Sequence, residues 1–251
     1  ALTISEPTEV KFVFIDKAGK ETVLKEKLKL LKGEILDATY MSVAALRSFI
    51  EEQIAVAKAE GILFSVHLEA TMMKVSDPIM FGHVVSVYFK DVFAKHAAKF
   101  EKLGVNPDLG LGDLYLKIKT LPEAECKEIE ADIQATYKTR PPLAMVDSAK
   151  GITNLHTSSD VIVDASMAVV LRDAGKMWGP DGNPQDCVAV LPDTTYAQFY
   201  QTGIEFSRKI GAFDPRSMGN VANVGLMAQQ AEEYGSHDKT FKAPDDGVIR
   251  I

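Results

Sequence analysis

Short apolar segments that resemble β-strands alternate along this chain with amphipathic segments that have helical periodicity, and this alternation constrains the fold most. We expect strands at 9–16, 21–31, 62–68, 143–148, 187–192 and 247–251. We expect helices at 42–60, 79–104, 123–139, 158–175, 194–211 and 223–235. Residues 105–118 and 176–186 are rich in turn formers and are predicted to be connecting loops.

Alternating strands and helices are typical of an α/β fold with a layered β-sheet and flanking helices. The first two strands flank an Ala-Gly turn and predict an antiparallel hairpin, so the sheet is expected to be mixed. A single α/β unit over residues 1–251 is predicted. Its one expected internal boundary lies near residues 139–142, where Pro141 and Pro142 interrupt the chain.

The charge and composition of the chain disfavour two classes of partner. The formal net charge of −7 argues against binding to nucleic acid, which requires a basic surface. No apolar run approaches the roughly 18 residues of a membrane span, so no membrane association is expected. Cys126 and Cys187 are too few for a disulfide framework, which favours a reducing, cytoplasmic location. Ala1 stands where an initiator methionine is usual, which suggests a piece of a longer protein.

Two groups of residues have the chemistry of a functional site. Asp160 and Asp164 lie four apart on one predicted helix, where they could bind a divalent cation or form a solvated acidic face. In the segment EEYGSHDKTF, Tyr234 is close in sequence to His237 and Lys239. A tyrosine hydroxyl beside a cation can pass a proton, but a tyrosine at this place can also anchor the end of a helix.

Other residues that could suggest a site are expected to be structural. The GLGD segment at 110–113 lacks the spacing and the preceding strand of a dinucleotide-binding loop, so we interpret it as a turn. His67, His83 and His96 form no metal-ligand pattern and are expected to be hydrogen-bonded structural residues.

Several long segments together resemble the monomeric type of NADP-dependent isocitrate dehydrogenase. The segments occur in the order of the family and cover nearly the whole chain. They are ATMMKVSDPIMFGHVV, LPEAECKEIEADIQATYKTRPPLAMVDSAKGITNLH, SDVIVDASM, GKMWGPDG, GAFDP, NVGLMAQ and AEEYGSHDKTF.

The resemblance implies the fold of that enzyme and the oxidative decarboxylation of isocitrate with NADP and a magnesium or manganese ion. It implies that Asp164 is a metal-binding carboxylate and that Tyr234 is the general acid that protonates the enol carbon after carbon dioxide leaves. Family members are about three times longer. The chain therefore resembles only an interior part of their large domain, and the NADP-binding region is expected to be absent.

The resemblance also assigns a role to position 69. The family motif reads HLKATMMKVSDP, and its first lysine exchanges a proton with the substrate hydroxyl, whereas this chain has Glu69 there. Lys74 is five residues away and would point to the opposite face of an extended segment. A second negative charge about 4 Å from a substrate carboxylate costs on the order of 4 kcal/mol at an effective dielectric constant near 20.

Three functional hypotheses follow from these residues. In the first, the chain is a fragment or a degenerate relative, a pseudoenzyme, that keeps the fold and only weak isocitrate binding. In the second, it is an active dehydrogenase whose site is completed by other chains or segments. In the third, the scaffold serves as a structural or binding protein. A homodimer is expected because a segment cut from a larger domain exposes an apolar face.

Overall fold

The computed structural model describes residues 2–36, 42–68, 76–157, 170–171, 173–192, 194–211 and 243–251. The chain divides into two compact units, one from Ala1–Ser42 with Asp238–Ile251 and the other from Val43–His237. Residues 139–142 lie inside the second unit, and the single unit over 1–251 stays a prediction. Among the described residues, no helix is both long enough and apolar enough to cross a bilayer.

The first unit is built on an antiparallel hairpin that the sequence predicted. Its strands are β1 (Leu2–Thr3), β2 (Thr8–Asp16), β3 (Glu21–Leu30), β4 (Ile35–Leu36) and, at the end of the chain, β10 (Gly247–Arg250). Strand β2 pairs with β3 and with β10, and β1 pairs separately with β4; all pairs are antiparallel. Gly19 forms the hairpin turn with a φ of +82°, which favours glycine. The predicted hairpin and final strand are confirmed.

The second unit contains a small mixed sheet. The strands of this unit are β5 (Leu63–Val66), β6 (Met145–Asp147), β7 (Ile152–Thr153), β8 (Lys176–Trp178) and β9 (Pro184–Val190). The mixed sheet has the order β5-β9-β8, and β6 and β7 form a separate antiparallel pair. Strand β5 is parallel to β9, and β8 is antiparallel to β9. On its other side β5 forms a parallel bridge from Phe64 to Leu143. The α/β class with a mixed sheet is confirmed, but the antiparallel partner is β8 and not the first hairpin. The prediction of a loop over 176–186 is therefore wrong at its two ends.

Seven helices of the second unit fall within the described residues. They are α1 (Val43–Glu60), α2 (Ser76–Tyr88), α3 (Lys90–Lys95), α4 (Ala97–Leu103), α5 (Gly110–Ile118), α6 (Glu123–Thr139) and α7 (Thr194–Ile210). Short 3-10 helices span Pro107–Leu109 and Ser148–Lys150. The predicted helix at 223–235, and most of the one at 158–175, lie outside the described residues.

The segment that the sequence predicted as one helix over 79–104 is divided into α2, α3 and α4. The backbone bends at Phe89 and His96, where ψ rises to 29° and 16°. The hydrogen bonds of an α-helix continue across both bends, from the Phe93 amide to the Phe89 carbonyl and from the Phe100 amide to the His96 carbonyl. Because these i to i−4 hydrogen bonds continue across the bends, the apolar residues keep the same helical spacing on both sides of each bend. The spacing alone therefore could not locate the bends.

One hydrophobic core joins helices α1 to α6 to the mixed sheet. Its fully buried side chains include Ile50 of α1, Phe64 of β5, Tyr88 of α2 and Ile129 of α6. The Tyr88 hydroxyl donates a 2.5 Å hydrogen bond to the carbonyl of Pro141. The Tyr88 ring thus reaches from α2 to the connection after α6, and its one polar atom is satisfied inside the core.

The prediction of a connector at 105–118 is wrong, because the segment forms the 3-10 helix Pro107–Leu109 and helix α5. Asn106 caps the 3-10 helix by accepting a hydrogen bond from the Asp108 amide at 3.0 Å. The turn formers that suggested a loop are used at the beginning of two helices.

Helix α2 packs against this 3-10 helix at Gly82, and we expect Gly82→Ala to destabilise the second unit by about 2 kcal/mol. A Cβ atom at Gly82 would lie 1.9 Å from the Asp108 Oδ1 atom and 2.9 Å from the Asp108 backbone nitrogen. The Asp108 side chain could rotate away from the new Cβ atom. The Asp108 backbone nitrogen, however, could move only if the whole 3-10 helix shifted. Urea unfolding of both proteins would measure the difference.

Gly203→Ala is the matched control for this substitution. Gly203 also lies inside a helix, but a Cβ atom there would have no atom within 4 Å. This control is expected to raise the free energy of unfolding by roughly 0.5–1 kcal/mol, because alanine is the better helix former. Equal effects of the two substitutions would show that Gly82 does not mark a close contact.

Candidate active-site segment

The segment that carries Glu69 follows the carboxyl end of a parallel strand. Strand β5 ends at Val66, and helix α2 begins at Ser76. In α/β sheets, ligands bind outside the carboxyl ends of parallel strands. In the sequence, position 69 follows the last residue of β5 by three, so the segment begins at the kind of sheet edge where such sites form. Glu69, Asp164 and Tyr234 themselves lie outside the described residues, so their roles stay predictions.

A buried polar cluster lies at the end of β5. Ser65 and His67 are two residues apart and lie on the same face of the extended chain. The Ser65 Oγ atom is 2.9 Å from the His67 Nε2 atom. The Asn154 Nδ2 atom donates a 3.2 Å hydrogen bond to the same Ser65 Oγ atom. Ser65 and His67 are 0% and 3% exposed, so solvent does not compete for these hydrogen bonds.

Burial lowers the pKa of His67 from its ordinary value of 6.5 to about 4, because desolvation penalises the charged imidazolium. The imidazole is therefore neutral at pH 7. Its backbone amide donates a hydrogen bond to the carbonyl of Val190 at 2.9 Å, which continues the pairing of β5 with β9 by one residue. Both the backbone and the ring of His67 are thus held at the point where the chain leaves the sheet.

Sequence reasoning treated His67 as structural and did not identify its partners. The signal was present in Ser65, a polar residue in the middle of the otherwise apolar segment ILFSV. A buried serine in a strand needs a hydrogen-bond partner, and a histidine on the same face two residues later can supply it. Asn154 could not be found in this way, because it lies about 90 residues further along the chain.

The other two histidines are also hydrogen-bonded, as the sequence predicted. The His83 Nδ1 atom lies 3.4 Å from an Arg47 guanidinium nitrogen. The His96 Nε2 atom lies 2.7 Å from Asp132 Oδ2 and joins the α3–α4 bend to α6. All three histidines whose role was predicted are therefore confirmed as hydrogen-bonded residues.

His96, Glu128 and Asp132 are the one group in the described part of the chain with the number and spacing of metal ligands. The Lys95 ammonium already lies between the two carboxylates, 3.1 Å from Glu128 and 2.8 Å from Asp132. These contacts lower the pKa of the Asp132 carboxyl. The group is an ion-pair network in which Lys95 already occupies the place of a cation, and we assign no metal to it.

The GLGD segment cannot cradle a phosphate. The amides of Leu111 and Gly112 at the beginning of α5 donate to the carbonyls of Leu155 and His156 at 3.1 and 2.6 Å. Gly110 has a φ of +78°, and a Cβ atom there would lie 2.5 Å from the His156 carbonyl oxygen. Gly110 and Gly112 allow the backbone of residues 155–156 to pack closely against the beginning of α5. The segment therefore has a structural role, but its interpretation as a turn is wrong, because residues 110–113 form the first turn of α5.

An open cleft of about 920 Å³ lies between α5, α6 and residues 150–157. Sequence reasoning did not predict it. Tyr115 and His156 stack in its wall with ring centroids 6.2 Å apart. Its charged residues are Asp113, Glu130, Lys119 and Lys150, whose charges cancel, so the cleft has no net preference for an anion or a cation. We assign no ligand to it.

The known proteins that resemble the chain, as compared below, are all isocitrate dehydrogenases. The model of the monomeric isocitrate dehydrogenase family matches residues 1–251. The NADP isocitrate dehydrogenase of Azotobacter vinelandii is 60% identical over all 251 residues, which cover 34% of that protein. NADP isocitrate dehydrogenase 2 of Colwellia maris is 58% identical over the same length, and the chain again covers 34% of that protein. The NADP isocitrate dehydrogenase of Corynebacterium glutamicum is 54% identical over 250 residues, or 33% of its length.

The chain thus spans about a third of the length of the relatives it matches, and the match extends over the whole chain. This agrees with the resemblance on which the assignments of Glu69, Asp164 and Tyr234 depend. The chain belongs to the monomeric isocitrate dehydrogenase family.

Proposed function

We propose that this chain provides part of the isocitrate and metal site of an NADP-dependent isocitrate dehydrogenase, and that Glu69 leaves it without the base that exchanges a proton with the substrate hydroxyl. The observation that carries the proposal is 60% identity over the whole chain to an enzyme named for this activity. The position of the 69–75 segment after a parallel strand supports it. The activity of the full-length relatives with NADP and isocitrate is assigned to this chain only as part of this proposal.

In the proposed site, Asp164 binds a magnesium or manganese ion and Tyr234 acts as general acid. A carboxylate oxygen is a ligand that both hard cations accept, so the residue type fits the metal. When bound, the ion would polarise the hydroxyl and keto oxygens of the substrate. Tyr234 would supply the proton that replaces carbon dioxide on the substrate carbon. Glu69 would lie beside a substrate with three carboxylates, where its charge opposes binding.

An NADPH assay tests the proposal directly. The purified chain with isocitrate, NADP and manganese is expected to form no NADPH above the level of a blank without protein, because Glu69 replaces the proton-exchanging lysine and the NADP-binding region is expected to be absent. Formation of NADPH in proportion to protein concentration would overturn the proposal. It would support instead the second hypothesis, an active dehydrogenase.

Metal binding can be tested without turnover. We expect manganese to stabilise the chain by about 2.7 kcal/mol when its concentration is 100 times its dissociation constant. The increase should be visible as a rise in melting temperature and should be absent in Asp164→Asn. Asp173→Asn removes a charge further along the same predicted helix and is the control. A rise that survives Asp164→Asn would place the metal elsewhere.

The predicted homodimer stays a prediction. The family is described by its monomeric members, which gives the dimer no support. Light scattering at high protein concentration measures the mass directly. A mass near 27.4 kDa would reject the homodimer, and twice that mass would support it.

A further inference from the structure

The buried cluster at the end of β5 defines a direction for its hydrogen bonds. Ser65 Oγ has two partners, Asn154 Nδ2 at 3.2 Å and His67 Nε2 at 2.9 Å. An amide nitrogen can only donate, so Ser65 accepts from Asn154. The Ser65 oxygen could also accept from a protonated Nε2, but its own buried hydroxyl proton would then have no acceptor among the described residues, so Ser65 donates that proton to His67. The Nε2 atom of a neutral imidazole that accepts this proton is unprotonated, and the ring proton is then on Nδ1.

The opposite orientation of the Asn154 amide is less favourable. In that orientation the oxygen would accept from Ser65, and the two donors of the NH₂ group would be buried in the place of the present Oδ1 atom. The Oδ1 atom is buried and has no hydrogen-bond partner among the described residues. A buried carbonyl oxygen without a partner is more often tolerated than a buried N–H group without one. The hydrogen-bond chain therefore runs from Asn154 through Ser65 to His67.

We propose that Asn154 and Ser65 are positioning residues that hold His67 in the Nδ1–H form, as a fixed neutral donor at the carboxyl end of β5. Free imidazole side chains prefer the other tautomer, with the proton on Nε2, so the protein has to select this form. The selected ring is two residues before Glu69, in the segment that enters the proposed dehydrogenase site. In this respect the inference rests on the proposed function. The assignment of the tautomer depends only on the cluster.

The arrangement explains why a histidine is kept in a buried position. The tautomer decides which ring nitrogen can donate and which can accept, so reversing it would exchange the donor and acceptor sides of the ring. The backbone amide of His67 is already bonded to Val190, and the ring is bonded to Ser65. With both fixed, the orientation of His67 at the end of β5 is fixed as well.

Nitrogen NMR of the 251-residue chain with ¹⁵N-labelled histidine tests the proposal at pH 7.5. The His67 signals are assigned by their loss in His67→Gln. We expect Nδ1 to have the shift and the one-bond coupling of a protonated ring nitrogen, and Nε2 to have the shift of an unprotonated one. Protonated Nε2 in the unsubstituted chain would overturn the proposal, whether or not the chain has dehydrogenase activity. The two proposals can therefore fail separately.

Variants of the cluster give a second, independent readout. Ser65→Ala removes the donor to Nε2 and should move the proton wholly or partly to Nε2. Ser65→Thr retains the hydroxyl and should keep the ring proton on Nδ1. Asn154→Asp replaces the amide donor by an acceptor, so Ser65 should turn and the proton should move to Nε2. Ser86→Ala is the control, because its hydroxyl donates to the Gly82 carbonyl and not to His67. An unchanged tautomer in both Ser65→Ala and Asn154→Asp would overturn the proposal.

Discussion

Glu69→Lys is expected to raise the rate of NADPH formation by about 10²–10⁴-fold, the usual contribution of a general acid or base. The comparison is made in a chimera in which this chain replaces the matching third of the Azotobacter vinelandii relative. The chimera supplies the remainder of that enzyme, so the effect of residue 69 is separated from the effect of the shorter chain. The steady-state rate with isocitrate, NADP and manganese is the measurement.

The physical reason is a change of both charge and proton chemistry. A lysine can exchange a proton with the substrate hydroxyl and attracts a substrate with three carboxylates, while a glutamate repels it. At about 4 Å this repulsion is on the order of 4 kcal/mol at an effective dielectric constant near 20. Lys74 is not expected to compensate, because it is an odd number of residues from position 69 and would lie on the other face of an extended segment.

Two further variants of the chimera separate these effects. Glu69→Gln removes the negative charge without supplying a base, so it should improve the KM for isocitrate more than kcat. Glu60→Lys makes the same charge change at the exposed end of α1 and should leave both constants unchanged. Equal activity of the unsubstituted chimera and its Glu69→Lys variant would refute the role assigned to this position.

Local patterns predicted most of the elements that the structure describes. The hairpin of β2 and β3, helices α1, α6 and α7, and strands β5, β9 and β10 all follow from apolar periodicity and from caps in the sequence. The errors fall where glycine and proline have a tertiary role. Gly110 and Gly112 were interpreted as turn formers, but they allow residues 155–156 to pack on the beginning of α5. That contact depends on a segment about 45 residues away, so no local pattern contains it.

The pairing of strands also could not be predicted from single segments of the sequence. The first hairpin was expected to join the mixed sheet, yet it forms its own sheet with β10, whose residues lie more than 200 positions later in the chain. Strand β9 pairs in parallel with β5 across about 120 residues. The composition of a strand indicates burial, but it does not identify the partner. The site assignments came from the resemblance, and Ser65 with Asn154 came only from the structure.

Acidification is expected to destabilise the second unit through His67, and this is the second large effect. The pKa of His67 is about 4 in the folded chain and near 6.5 when unfolded, so the unfolded chain binds more protons between these values. Stability is therefore complete above pH 6.5, falls as the pH is lowered towards 4, and falls no further through this group below that. The full loss is about 3 kcal/mol, at about 1.36 kcal/mol for each unit of pKa difference.

Urea unfolding of the chain and of His67→Gln at several pH values between 7.5 and 4.5 isolates this contribution. Glutamine keeps a polar group near Ser65 but does not titrate, while all carboxyl groups titrate equally in both proteins. The difference in the free energy of unfolding between the two proteins should therefore change by about 2 kcal/mol between pH 7.5 and pH 5, in the direction that favours the variant in acid. Parallel profiles would mean that His67 is protonated as easily in the folded chain as in the unfolded one. Burial would then not keep the ring neutral in acid.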